Sequence, residues 1–72
     1  MVNRRLVESN IVEMLMKSGA QDVKSILEFL RDRFDDTTEE ELNKALMTLE
    51  LHGIIRVYNA TKDKQRVELV RG

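Results

Sequence analysis

Residues 42–55 read LNKALMTLELHGII, and a change of period inside this stretch decides the fold. Leu42, Ala45, Leu46 and Leu49 recur at steps of three and four, the spacing of one apolar stripe on a helix. His52 and Gly53 close that helix, because an imidazolium suits the negative end of the helix dipole and glycine readily takes the left-handed conformation just past it. Beyond Gly53 the repeat becomes two. Ile55 and Val57 alternate with Arg56 and Tyr58, and Val67 and Leu69 alternate with Arg66 and Glu68. That alternation predicts two half-buried strands joined by a polar loop over 59–65, a β-hairpin spanning about 54–70.

Working back toward the N-terminus, Thr38 with Glu41 three residues on forms a capping box, in which two side chains satisfy two orphan backbone N–H groups. A third helix is expected over about 38–52. Asp35, Asp36 and Thr37 make a polar break before it. Val23, Ile26, Leu27, Leu30 and Phe34 form the stripe of a second helix over about 22–34, with Asp22 placed as its N-cap. Val7, Ile11, Met14 and Leu15 mark a first helix over about 3–18, which Gly19 ends. The order is helix, helix, helix, hairpin. Seventy-two residues have room for one core, so residues 1–72 are expected to form a single domain. Hydrophobic residues at 42% and charged residues at 35% suit a globular chain rather than a disordered one, and 4% aromatics leave the core to aliphatic side chains.

The run 42–55, with its leucines at 42, 46 and 49 and its ending His52-Gly53-Ile54-Ile55, resembles the third helix and following strand of winged-helix domains. The resemblance extends over roughly residues 10–70. It implies an α+β fold, a three-helix winged-helix domain with a C-terminal two-stranded β-hairpin wing, in which the third helix is the recognition helix. One feature departs from the most compact members. The second helix continues through residues 31–34 and reaches the third by an acidic loop, where a helix-turn-helix uses a turn of about three or four residues. The standard docking pose of that helix pair on DNA is therefore not implied.

Catalytic chemistry has little to stand on. Cysteine is absent, which excludes disulfides, thiolate metal sites and cysteine nucleophiles. No glycine-rich phosphate loop exists, and His52 has no neighbouring serine in sequence, so helix capping is its simpler role. The acidic cluster Asp32, Asp35, Asp36, Glu39, Glu40 and Glu41 lacks the glycine of a calcium-binding loop. Its glutamates suit the first turn of the third helix, where the dipole favours each by roughly 0.3–1 kcal/mol. The expectation is a protein that is not an enzyme and uses no metal or cofactor. Apolar stretches such as residues 14–16 fall far short of a signal peptide or of a span of about 20 residues, so a cytoplasmic location without membrane contact is expected. The sequon Asn59-Ala60-Thr61 would then never be glycosylated.

The net charge of -1 conceals a strong asymmetry. Residues 22–53 sum to -5, whereas residues 54–72 sum to +3 through Arg56, Lys62, Lys64, Arg66 and Arg71 against Asp63 and Glu68. The resemblance places Lys62, Lys64 and Arg66 where wings meet phosphate, and Glu40, Glu41, Asn43 and Lys44 where recognition helices face the major groove. Carboxylates there oppose a groove lined by phosphates, although asparagine can pair with adenine. Two functions follow. The first is a small DNA-binding regulator or chromatin-type factor that grips duplex DNA through the wing and an Arg4, Arg5 arm, with Asn43, Lys44 and Thr48 at the groove. The alternative is a winged-helix protein-interaction module of a transcription or replication assembly, docking through the acidic third helix and an apolar patch. Val12 and Met16 share a second face of the first helix, and Met47 and Leu51 share one on the third. These four are the candidate protein interface, and so small a core makes a homodimer through the first helix a natural expectation. A blander account is also available for the hairpin: its lysines blunt an exposed strand edge, and Arg56 pairs across the strands with Glu68.

Overall fold

The computed structural model describes residues 4–70, and of Arg4 the backbone only. Its elements are α1 (Arg4–Ser18), β1 (Gln21–Asp22), α2 (Val23–Arg33), α3 (Glu39–Leu51), β2 (Ile55–Thr61) and β3 (Lys64–Leu69). Three helices thus precede a hairpin, and the fold is α+β with a three-stranded antiparallel sheet in the order β1-β3-β2.

The expected two-stranded hairpin is formed by β2 and β3, and β1 corrects the expectation that the sheet ends there. Gly19 ends α1 with a φ of 77°, and its N–H donates to the Leu15 carbonyl at 2.9 Å, a left-handed cap that turns the chain back. The next residues then run along the open edge of β3, with Gln21 opposite Val67 and Asp22 opposite Arg66. Pairing there occupies backbone groups that an edge strand would otherwise offer to another chain. Asp22 is also corrected. It stands at the N-cap position of α2, but its side chain makes no capping hydrogen bond. Its carboxylate lies 3.8 Å from the Arg66 guanidinium, so the residue serves the sheet rather than the helix.

α3 is held at both ends by local chemistry. The Glu41 N–H donates to the Thr38 hydroxyl at 3.1 Å. The other half of the expected capping box differs, since the Glu41 carboxylate accepts from the Thr38 hydroxyl at 3.2 Å. At the far end Gly53 has a φ of 73°, its N–H reaches the Glu50 carbonyl at 3.0 Å, and the Ile54 N–H reaches the Leu49 carbonyl at 2.9 Å. Those two bonds make a Schellman motif, which satisfies otherwise orphaned carbonyls and aims the chain into β2.

The core lies where the three helices meet the inner face of the sheet. Ile11, Ile26, Leu30, Leu42, Ile55 and Val67 are its most deeply buried side chains, with Val7, Leu15, Leu27, Ala45, Leu46 and Leu49 around them. Every helix therefore supplies its predicted stripe. Phe29 and Phe34 pack on the margin. Thr37, in the loop before α3, is only 2% exposed and donates its hydroxyl to the Phe34 carbonyl at 2.9 Å, while its own carbonyl accepts from Arg31 Nε at 3.1 Å. The acidic loop is thereby pinned against the end of α2.

Candidate nucleic-acid interface

β2 and β3 pair from Ile55 opposite Leu69 out to Thr61 opposite Lys64, with an irregularity between Asn59 and Thr61. The alternation sends Ile55, Val57, Val67 and Leu69 toward the helices. Arg56, Tyr58, Arg66 and Glu68 take the opposite face. On that outer face the hairpin's cations divide into two groups. Arg56 forms an ion pair with Glu68 directly across the ladder, and its guanidinium stands 5.8 Å from the Tyr58 ring centre. Arg66 reaches Asp22 and donates to the Ala20 carbonyl at 3.1 Å. Both arginines are thus used within the sheet. Lys62 and Lys64, at the tip, are exposed and make no ion pair with any described residue.

The tip forms one wall of a groove of about 1060 Å³, whose other walls are the outer face of α2 and the start of α3. Lys24, Ser25, Glu28 and Arg31 line it from α2, Glu39 and Asn43 from α3, and Asn59, Lys62, Asp63, Lys64 and Gln65 from the hairpin. Four cations therefore surround a cleft well supplied with amide and hydroxyl groups. Four carboxylates also line it, Asp22, Glu28, Glu39 and Asp63, of which Asp22 is engaged by Arg66.

Of the candidates predicted on α3, Asn43 is exposed at the groove. Lys44 is exposed but lies 3.5 Å from the Glu40 carboxylate one turn earlier. The Thr48 hydroxyl is committed to the Lys44 carbonyl at 3.0 Å. Arg5 lies in the first turn of α1 rather than on an extended arm, and it lines a different groove; the Arg4 side chain is outside the described residues. The structure therefore brings Lys62, Lys64 and Asn43 together and leaves Arg5 and Arg66 elsewhere. Lys24 and Arg31 join the site without having been predicted. Their spacing of seven puts them on one face of α2, but which face turns to the hairpin tip is a tertiary fact.

The second groove, about 450 Å³, is lined by Arg5, Glu8, Ser9, Val12, Glu13 and Met16 of α1 with Leu49 and Ile54. Val12 packs partly on the core, and Met16 is 66% exposed. Met47 and Leu51 lie on the solvent face of α3 and are 62% and 81% exposed. Near this groove the Lys17 ammonium, 3.0 Å from Glu13, holds the Glu13 carboxyl below the usual carboxylate range. Among the described residues no group of three or more His, Asp or Glu is arranged to hold a metal ion, and no helix is long and apolar enough to cross a membrane. Comparison with known protein families, with curated proteins and with solved structures gives no match to this chain.

Proposed function

We propose that this chain is a winged-helix DNA-binding domain of the regulator or chromatin-factor type, with β2 and β3 as the wing. The wing leads the contact with duplex DNA. The observation that carries this reading is the gathering of Lys24, Arg31, Lys62 and Lys64 around one groove beside Asn43. Cations supplied by two separated segments of chain, α2 and the hairpin tip, match a curved, repeating row of phosphates, and each phosphate neutralised releases condensed counterions. Asn43, at the mouth of α3, is the residue suited to a base edge, since its amide can pair with adenine N6 and N7. The rest of α3 contributes little, because Lys44 is held by Glu40 and the Thr48 hydroxyl by the backbone. Glu28, Glu39 and Asp63 in the same groove keep the affinity modest, and the cation–phosphate contacts make it strongly dependent on salt.

The test is a fluorescence-anisotropy titration of a generic short duplex with the full chain at low salt, repeated as salt is raised. Binding at micromolar protein that weakens steeply with salt is the expected result. A flat titration at low salt removes the reading.

A further inference from the structure

The side of α3 turned away from the core presents Met47 and Leu51 one turn apart, and nothing in the described fold packs over them. Glutamates stand along the same row and beside it. Glu40 lies along the same row, and Glu39 and Glu50 stand exposed on the flank. Lys44 is the one basic residue of α3, and its ammonium lies beside Glu40. An apolar pair on an acidic helix is poorly suited to phosphate, because an anionic ligand would be repelled by the net negative charge of α3. We infer that this face of α3 docks a basic amphipathic helix of a partner protein, with apolar side chains of the partner seated against Met47 and Leu51 and its Lys or Arg against Glu40 and Glu50.

Three features select that occupant. α3 itself carries Glu39, Glu40, Glu41 and Glu50 against Lys44, a net charge of -3, so the field over it draws cations and supplies the orientation. The row from Glu40 to Leu51 is about 16 Å long at 1.5 Å per residue, enough to meet three turns of another helix. Side chains spaced four apart on a helix make a ridge, and the groove that fits a ridge is found between ridges of a second helix. Duplex binding through the hairpin tip is not required for any of this.

The experiment is an NMR titration of the full ¹⁵N-labelled chain with a synthetic helical peptide carrying leucine on one face and lysine on the other. A matched peptide with glutamate replacing every lysine serves as control. Shifts should concentrate at Glu40, Lys44, Met47 and Leu51 for the lysine peptide and be absent for the control. M47S/L51S, which changes only exposed side chains, should weaken binding by roughly tenfold or more. K62A/K64A should leave it unchanged. The inference is overturned if the control binds equally well, if the shifts fall on Val12 and Met16, or if millimolar peptide gives no shift. It is also overturned if light scattering shows a dimer that M47S/L51S dissociates, since a second copy would then cover the face.

Discussion

Two lysines and two arginines of the hairpin should behave differently toward DNA, although all four are cations on one small sheet. Lys62 and Lys64 have no ionic partner among the described residues, whereas Arg56 is held by Glu68 and Arg66 by Asp22 and the Ala20 carbonyl. If each lysine neutralises one phosphate, K62A/K64A lowers the slope of log affinity against log salt by roughly 1.8, at about 0.9 per phosphate. Between about 50 and 200 mM salt those two contacts account for a loss of roughly twelvefold in wild-type affinity, and the double variant should not show that share of the loss. R56Q and R66Q should leave the slope within about 0.3 of wild type, since neither guanidinium is released to phosphate. R66Q should instead lower the melting temperature, because Ala20 loses a donor worth about 1 kcal/mol, or roughly 4–8 °C for a domain of this size. The assay is anisotropy at four or five salt concentrations, with circular dichroism confirming that each variant is folded. Equal slope reductions for arginines and lysines would refute the reasoning, because the sheet's ion pairs would then open on binding. An unchanged slope for K62A/K64A with binding retained would show that the hairpin tip does not lead.

G53A places a non-glycine residue at a φ of 73° with nothing within 4 Å of the new Cβ, so its cost is backbone strain alone, about 1–2 kcal/mol in urea unfolding. G53N should recover part of that loss. L30A empties a site that is 0% exposed and should cost about 2–5 kcal/mol, much of the stability of a 72-residue domain; a smaller urea-midpoint shift than that of L51A would contradict the core assignment. Glu13, with its carboxyl pKa lowered by Lys17, should titrate by NMR below an ordinary glutamate. The stabilisation it gives is complete above the ordinary carboxylate pKa and disappears as pH falls through the lowered value, and K17M should abolish both effects. E40K removes a carboxylate and releases Lys44, so duplex affinity should rise while affinity for the lysine peptide falls; changes of the same sign in both assays would show that one surface serves both ligands.

What the sequence revealed and what it hid divide by distance along the chain. The stripes ending in Leu15, Leu30 and Leu49, the two left-handed glycines and the Thr38 cap are all local, each decided by residues within a turn or two. Arg56 with Glu68 was legible as well, because a hairpin fixes its own register once its strands are found. β1 was not. Gln21 and Asp22 carry no periodicity, and only the packing of α1 against the hairpin brings them to β3. Asp22 looks like a cap for the same reason, since the arginine that claims it lies near the other end of the sequence. Thr37 reads as part of a polar break and is buried, because the hydrogen bonds that make its burial tolerable arise only when the loop folds back on Phe34. The groove was half visible. Its hairpin wall is a local charge pattern, whereas Lys24 and Arg31 belong to it through the placement of α2.

The same division bears on how charge should be read for function. Summed over residues 54–72 the chain is basic by three, yet two of those five cations are spent on carboxylates that the sheet itself brings near, one in β3 and one in β1. Asp22 belongs by sequence to the acidic middle, so a tally by segment misplaces it. What remains to face a ligand is set by pairing, and pairing here concentrates free positive charge at the tip while removing it from the body of the hairpin. On α3 it does the reverse: the pairing of Lys44 with Glu40 leaves the exposed glutamates around Met47 and Leu51 without a free cation of their own helix. A domain with so little net charge can therefore offer one surface suited to an anion and another suited to a cation. The two adjoin on α3, where Asn43 of the groove lies one turn before Met47, and each should respond to salt according to its own unpaired groups.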